Sequence, residues 1–326
     1  MGRRASNCAP TLVRPSAYAR SRTCWLSWPF AARDTPTRLE GAKVTHIDNR
    51  SQRDGHVVVV GLGGIGGAVA HRLVELGRTV VGIDLDPKRA DTWQVNSGSS
   101  AVSSFGTVDW DAAECVIVAV RTAQQVESVL SDHGVSSLLR RGATAFVLTT
   151  LIPADAQRVT AGDLSGRRFE LPVSGGEIRA RNGELTGLIA GPDPDAFEAS
   201  LLREVFATVF TFDSTGQPSL IKLINNTLAA RSALNAAIAL KTACAAGVDT
   251  ALAHEVIRSS SGSSVAGDSL ASLTDNQADL LLKDVRLLES QLHHSPFEAA
   301  CVDDLVEHVA NARTSLQVAE TEGTQQ

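Results

Sequence analysis

Lys222, Asn225 and Asn226 are side chains whose types and spacing could do chemistry. They fall in the stretch from Thr215 to Leu228, whose one charge is on Lys222. Residues three and four apart are neighbours on a helix surface, so the amine and both amides would lie together. The helical reading comes from Leu220, Leu223, Ile224 and Leu228, which recur at helical spacing as a buried stripe. Gly216 interrupts the segment before it, and Pro218 suits a first turn, where its missing N–H costs nothing. An ammonium at the edge of a packed helix is costly unless something uses it. Burial also lowers a lysine pKa, which lets the amine take and return a proton near neutral pH. A plainer reading stands beside this one: Lys222 reaches solvent along its alkyl stem and the asparagines cap a neighbouring loop.

A second constellation lies near the start of the ordered body. Val57–Val60 is a continuous apolar run, as expected of a strand buried on both faces. It leads into Gly61-Leu62-Gly63-Gly64-Ile65-Gly66, followed by a helix from Ile65 to Leu76 and a strand from Thr79 to Ile83 that ends on Asp84. Strand, G-x-G-x-x-G, helix, strand and acid in this order form a dinucleotide-binding fingerprint. The glycines allow a tight turn and close approach to a pyrophosphate, and the helix start supplies free N–H groups for it. Asp84 would accept both ribose hydroxyls and repel a 2′-phosphate. NAD is therefore favoured over NADP, with Lys88 and Arg89 a turn further on keeping NADP possible.

These residues need a scaffold, and the chain supplies alternating elements. Asp86–Val95 reads as helix, Asn96–Ser104 as a loop with a short strand, Cys115–Val120 as a buried strand, Gln124–Leu139 as helix, Ala143–Thr149 as strand and Pro153–Leu164 as helix. Such repeats argue a parallel, doubly wound sheet. Val120-Arg121-Thr122 would lie at the carboxyl edge of the sheet, where ligands bind. In Pro172-Val-Ser174-Gly175-Gly176, the Ser174 hydroxyl and the bare N–H groups of Gly175 and Gly176 could hold a carboxylate; the alternative is an ordinary turn. After Leu185–Ala190, a helix to Phe206 and a strand at Val209–Phe212, a long helix runs from near Pro218 to Ala246. Only helices follow: Asp249–Ser259, Asp275–Gln291 and Pro296–Leu316.

The chain of 326 residues has the composition of a globular protein, and no apolar run approaches the roughly 20 residues that cross a bilayer. Residues 1–55 are net basic, whereas the chain as a whole carries −6, so the body from His56 is acidic and unsuited to nucleic acid. The five cysteines show no metal or CxxC spacing; Cys115 and Cys244 read as small core residues, which fits a reducing cytoplasm. The histidines suggest no metal site. Residues 1–55 are rich in Arg, Ser, Thr and Pro. They read as a disordered extension or over-long start, as an organelle transit peptide, or as a basic arm for an acidic partner.

Five motifs in order carry a resemblance over residues 56–316. They are Gly61–Gly66; Pro172–Gly176 followed by Ala180, Gly183 and Leu185; Gly216 with Lys222 and Asn226; Ser260-Ser-Gly262; and Lys283-Asp284. This pattern resembles the β-hydroxyacid dehydrogenase family, which includes 3-hydroxyisobutyrate dehydrogenases and tartronate semialdehyde reductases. The resemblance implies an α/β Rossmann domain over 56–215, joined by a long helix to an all-α domain over 216–326 that serves substrate binding and assembly. It implies Lys222 as general acid/base, Asn226 as orienting either the substrate or the lysine, and Ser174, Gly175 and Gly176 on the substrate carboxylate. It places Lys283, Val120 and Thr122 beside the cofactor. A small hydroxy acid or semialdehyde as substrate and a homodimer or homotetramer as assembly are also implied. The chain departs from the family at Glu170-Leu171, usually Asp-Ala, at Pro218, commonly glycine, and at Val120-Arg-Thr122, usually Leu-Pro-Asn. It lacks the histidine that 6-phosphogluconate dehydrogenases carry beside their asparagine, and it has the lysine that imine reductases usually lack. An imine or aldehyde reductase of the same fold and a non-catalytic dinucleotide-binding scaffold are the alternatives.

Overall fold

Strand β1 (His56–Val60) alternates its valines between two cores: Val57 and Val59 face one side, Val58 and Val60 the other. That is the signature of a central parallel strand covered on both faces. The computed structural model describes residues 55–161, 166–291 and 306–314, all within a unit spanning Pro36–Gln326. The N-terminal extension and most of the expected helix Pro296–Leu316 lie outside the described residues.

The chain continues through α1 (Gly64–Glu75), β2 (Val80–Ile83), α2 (Pro87–Ser97), β3 (Ala101–Val102), β4 (Ala113–Val118), α3 (Ala123–Ser131), α4 (His133–Arg140), β5 (Thr144–Val147), α5 (Pro153–Thr160) and β6 (Arg167–Glu170). The six strands form one parallel sheet in the order β3-β2-β1-β4-β5-β6. The order reverses between β1 and β4, so their carboxyl ends open the crevice where ligands bind in such sheets.

The structure corrects several expectations and supplies a sheet arrangement that the sequence left open. The helix expected over Gln124–Leu139 is two helices. Asp132 is extended, with ψ 143°, and its carboxylate accepts the Gly134 and Val135 N–H groups, so it starts α4 where a continuous helix would have run on. The strands after β6 do not extend the large sheet. Pro172 offers no N–H to a ladder, and beyond it β7 (Val173–Ser174), β8 (Leu185–Ile189) and β9 (Phe206–Thr211) form a separate sheet, with α6 (Gly176–Arg181) and α7 (Ala196–Val205) between them. Among the described residues one isolated antiparallel bridge, Glu170 to Ala190, joins the two sheets. Cys115 is buried as expected, but Cys244 is exposed.

Helix α8 (Gln217–Ala245) has 29 residues, a rod about 43 Å long at 1.5 Å per residue. Its buried face runs through Ser219, Lys222, Leu223, Thr227, Ala230, Ala233, Leu234, Ala237 and Leu240. Leu228 is 57% exposed. The stripe is thus rotated from the expected one, and Lys222 lies on the buried face rather than at its edge. The alanines let α9 (Thr250–Arg258), α10 (Val265–Asp268) and α11 (Asp275–Gln291) pack closely on α8. A helix over 306–314 adds Val309 and Ala312 to this core. No described helix is long and apolar enough to cross a membrane.

Candidate active site

The glycine turn links β1 to α1. Gly61 has φ +93°, and a side chain there would meet the Ala119 carbonyl at 2.5 Å, at the end of β4. A Cβ at Gly66 would lie 1.9 Å from the Gly61 carbonyl, so only glycine lets α1 start this close to the strand. At Gly63 the same test meets nothing within 4 Å. The turn is therefore packed beneath and open above. The N-cap Gly63 has no side chain to cap the first turn of α1, where Gly64, Ile65 and Gly66 bring N–H groups without intrahelical acceptors. An open cradle of uncapped amides fits a pyrophosphate.

Asp84 follows β2 and is 7% exposed. It accepts the Leu62 N–H at 2.9 Å, which ties it to the glycine turn, and the Asp86 N–H at 3.0 Å. The Arg89 guanidinium lies 3.1 Å and 3.2 Å from its two oxygens. Asp84 thus stands where the fingerprint puts a ribose-binding acid, with a half-exposed arginine over it.

On the other side of the crevice, Val120 follows β4, and its carbonyl accepts the Thr149 hydroxyl at 2.8 Å. Thr122 is the exposed N-cap of α3 in a reciprocal pair with Gln125. Between them, Arg121 donates to Asn276 of α11 at 2.7 Å, tying the sheet edge to the helical region. Ser174 is half-buried; Gly175 and Gly176 are exposed at the start of α6, whose N-cap Gly175 has no side chain to cap it. Helix α6 packs on α1, and the Glu177 carboxylate comes within 3.2 Å of where a Cβ on Gly64 would stand. The Ser174 loop and the glycine turn therefore share one rim.

Lys222 is 6% exposed. Its Nζ donates to Asn226 Oδ1 at 2.9 Å, and Asn226 Nδ2 donates to Asp284 Oδ2 at 2.6 Å. The other oxygen of Asp284 accepts from Lys283. Lys222, Asn226, Asp284 and Lys283 thus form one chain of hydrogen bonds between α8 and α11. Asn225 is exposed, 3.5 Å from Asn226. Burial pulls the Lys222 amine down to about 8 from 10.5; Asp284 pushes it back up and Lys283 pushes it further down. A buried amine held at that value can exchange a proton near neutral pH. Among the described residues no group of three or more His, Cys, Asp and Glu could hold a metal ion.

Comparison with known proteins bears on this arrangement. The family described as the NAD binding domain of 6-phosphogluconate dehydrogenase matches residues 56–211. An L-threonate dehydrogenase from Escherichia coli O6:H1 is 33% identical over 216 residues, which cover 64% of this chain and 70% of that protein. The chain belongs to the β-hydroxyacid dehydrogenase family. A 3-hydroxyisobutyrate dehydrogenase from Pseudomonas aeruginosa is 30% identical over 63% of this chain and 70% of that protein. The crystal structure of a 3-hydroxyisobutyrate dehydrogenase from Salmonella typhimurium superposes with a TM-score of 0.69 at 25% identity, over 81% of this chain and all of that one. As a β-hydroxyacid dehydrogenase, the protein is an NAD(P)-dependent oxidoreductase acting on the CH–OH group of hydroxy acids.

Two residues of this dehydrogenase escaped the sequence reading as site components. Asp284 is 4% exposed and accepts from both Asn226 and Lys283. Its signal was a carboxylate one helical turn from Leu281 and Leu288 and next to Val285, on the apolar face of α11. Glu170 is 1% exposed and accepts the N–H groups of Gly216 and Ser219 at the start of α8. Burial pushes its carboxyl above the usual range, and hydrogen bonds from Ser219 and Gly216 oppose this.

Proposed function

We propose that the enzyme oxidises a small β-hydroxy carboxylic acid, of the 3-hydroxyisobutyrate kind, and that Lys222 is the general acid/base. The buried amine of Lys222, hydrogen-bonded to Asn226, is the observation that carries this reading. The nicotinamide dinucleotide, when bound, supplies the hydride acceptor for oxidation and the donor for the reverse. Gly61, Leu62, Gly63, Gly64, Ile65 and Gly66 would hold its phosphates, and Asp84 its ribose. In oxidation, neutral Lys222 Nζ takes the proton of the substrate hydroxyl; in reduction the ammonium returns it. Positioned proton transfer of this kind is worth roughly 10²–10⁴-fold. Asn226 fixes the direction of Nζ, and Asp284 fixes the amide of Asn226 by accepting its N–H. The Ser174 hydroxyl and the Gly175 and Gly176 N–H groups bind the substrate carboxylate, and Lys283 adds positive charge nearby. On this reading residues 56–215 serve the dinucleotide, and 216–326 carry the proton and complete the substrate site.

NAD is the preferred dinucleotide, because Asp84 repels a 2′-phosphate. Arg89 offsets part of that repulsion by pairing with the same carboxylate.

The test is Lys222→Ala, assayed on 3-hydroxyisobutyrate, L-threonate, L-serine and glycerate with NAD and with NADP. Turnover should fall by about 10²-fold or more while NADH binding, followed by fluorescence, is kept. Loss of both together would make the lysine structural, and retained turnover would assign the proton to another group.

A further inference from the structure

The N-terminus of α8 has an unusual cap. An α-helix begins with N–H groups that have no intrahelical acceptor, and each needs a partner. In α8 every one can be traced. Pro218 has no N–H. The Gln217 N–H reaches the Ser214 carbonyl at 3.3 Å. From Leu220 on the bonds are helical, beginning with Leu220 to the Gly216 carbonyl at 3.0 Å. The remaining two, on Gly216 and Ser219, both go to Glu170, one to each carboxylate oxygen. No side chain of α8 itself caps the helix, and its first turn carries no acid. The cap comes from 46 residues upstream, at the last position of β6.

Glu170 is itself firmly held. It pairs in parallel with Val147 of β5, and its own N–H and C=O both bond to Ala190 at 3.0 Å in the bridge between the sheets. Ser219 is fully buried, and Lys222 follows it three residues later on the same buried face, about 4.5 Å along the axis. Regular helix connects the capped N–H to the Lys222 backbone, and Asn226 on the next turn holds the tip of the side chain. A carboxylate at a helix N-terminus is also favoured by the helix dipole.

We propose that Glu170 is a positioning residue for Lys222: its buried carboxylate ties the first turn of α8 to the junction of the two sheets and so fixes where that turn delivers the amine. The inference rests on Lys222 being the general acid/base. The Gln157 side chain, which donates to the Thr215 carbonyl at 3.2 Å, holds the preceding residue and makes no bond to the first turn itself.

Glu170→Gln tests this. An amide can accept only one of the two N–H groups and turns its own donors towards the other. The first turn should loosen and Lys222 should gain solvent. The charged groups acting on Lys222 are Asp284 and Lys283 of α11, and neither is altered. Expected are a fall in kcat of about ten- to a hundredfold, the size of effect that small misplacements produce, unchanged NADH binding, and a rise in the pH of the limb that reports Lys222. Glu170→Asp, which keeps the charge on a shorter stem, should lie between wild type and Glu170→Gln in both kcat and limb. If Glu170→Gln does not fold, Glu170→Asp carries the same measurements. Lowered thermal stability with kcat and limb unchanged, or lowered kcat with the limb unmoved, overturns the proposal. Lys222→Ala run in parallel separates the two claims. Should that variant keep its turnover, the assignment of Lys222 fails. Should it be inactive while both Glu170 variants behave as wild type, only the role of Glu170 fails.

Discussion

Replacing Lys222 with methionine should stabilise the protein at pH 7 while removing turnover. Folding brings the amine down to about 8 from 10.5, mainly by burial. In the pH range between those values the unfolded chain binds more protons than the folded one, so stability rises with pH there. Below pH 8 both states are protonated and the full penalty is present. At about 1.4 kcal/mol per pKa unit, that penalty is roughly 3 kcal/mol. Methionine keeps the apolar stem and discards the charge. It also deprives Asn226 Oδ1 of its 2.9 Å donor, a loss of about 1–2 kcal/mol. The net gain at pH 7 should be on the order of 1–2 kcal/mol. The lost hydrogen bond adds nearly the same amount at every pH, so the comparison across pH isolates the charge. Urea denaturation of both proteins at pH 7 and pH 10 should show wild type gaining between about 2 and 3 kcal/mol on the variant over that interval. A stability difference that stays constant from pH 7 to pH 10 would refute the claim that folding costs Lys222 its proton affinity.

Other outcomes follow from neighbouring residues. Asp284 pushes the Lys222 amine upward, so Asp284→Asn should move the alkaline rise of the oxidation rate to lower pH; movement to higher pH in a pH–rate profile would contradict the arrangement. Gly63→Ala and Gly66→Ala should separate cofactor binding from folding. A side chain at 63 meets no protein atom within 4 Å, so melting should be unchanged while NADH binding weakens at least tenfold, a cost of about 1.4 kcal/mol. At 66 the side chain lies 1.9 Å from the Gly61 carbonyl, and the melting temperature should fall by several degrees, about 1–3 kcal/mol of strain. Calorimetry with fluorescence titration checks both.

The parts of the fold legible in the sequence are those encoded locally. The glycine turn, the valine strand and Asp84 lie within about thirty residues, and the structure assembles them through a Leu62 N–H to Asp84 bond. Helix α8 was legible from Pro218 and the apolar spacing, though its buried face was not. Leu228 fits a stripe by spacing, yet the face that packs is chosen by α11, which contributes Leu282, Val285 and Leu288 from far along the chain. The burial of Lys222 depends on the same distant helix. The small sheet was hidden for a different reason: short apolar runs such as Leu185–Ile189 announce a strand without saying which edge it joins. At Asp132, a carboxylate that caps α4 looks in sequence like one on the surface of a continuous helix.

Asp284 and Lys222 sit on separate helices. The basicity of the amine therefore depends on a spacing set by how tightly alanines of α8 seat against α11. A bulkier residue at Ala230 or Ala233, remote from any reacting atom, would draw the carboxylate away and leave the amine with less inducement to hold its proton. With Lys222 as the proposed acid/base, the working pH of the enzyme would then be written partly in the packing of its most unremarkable residues.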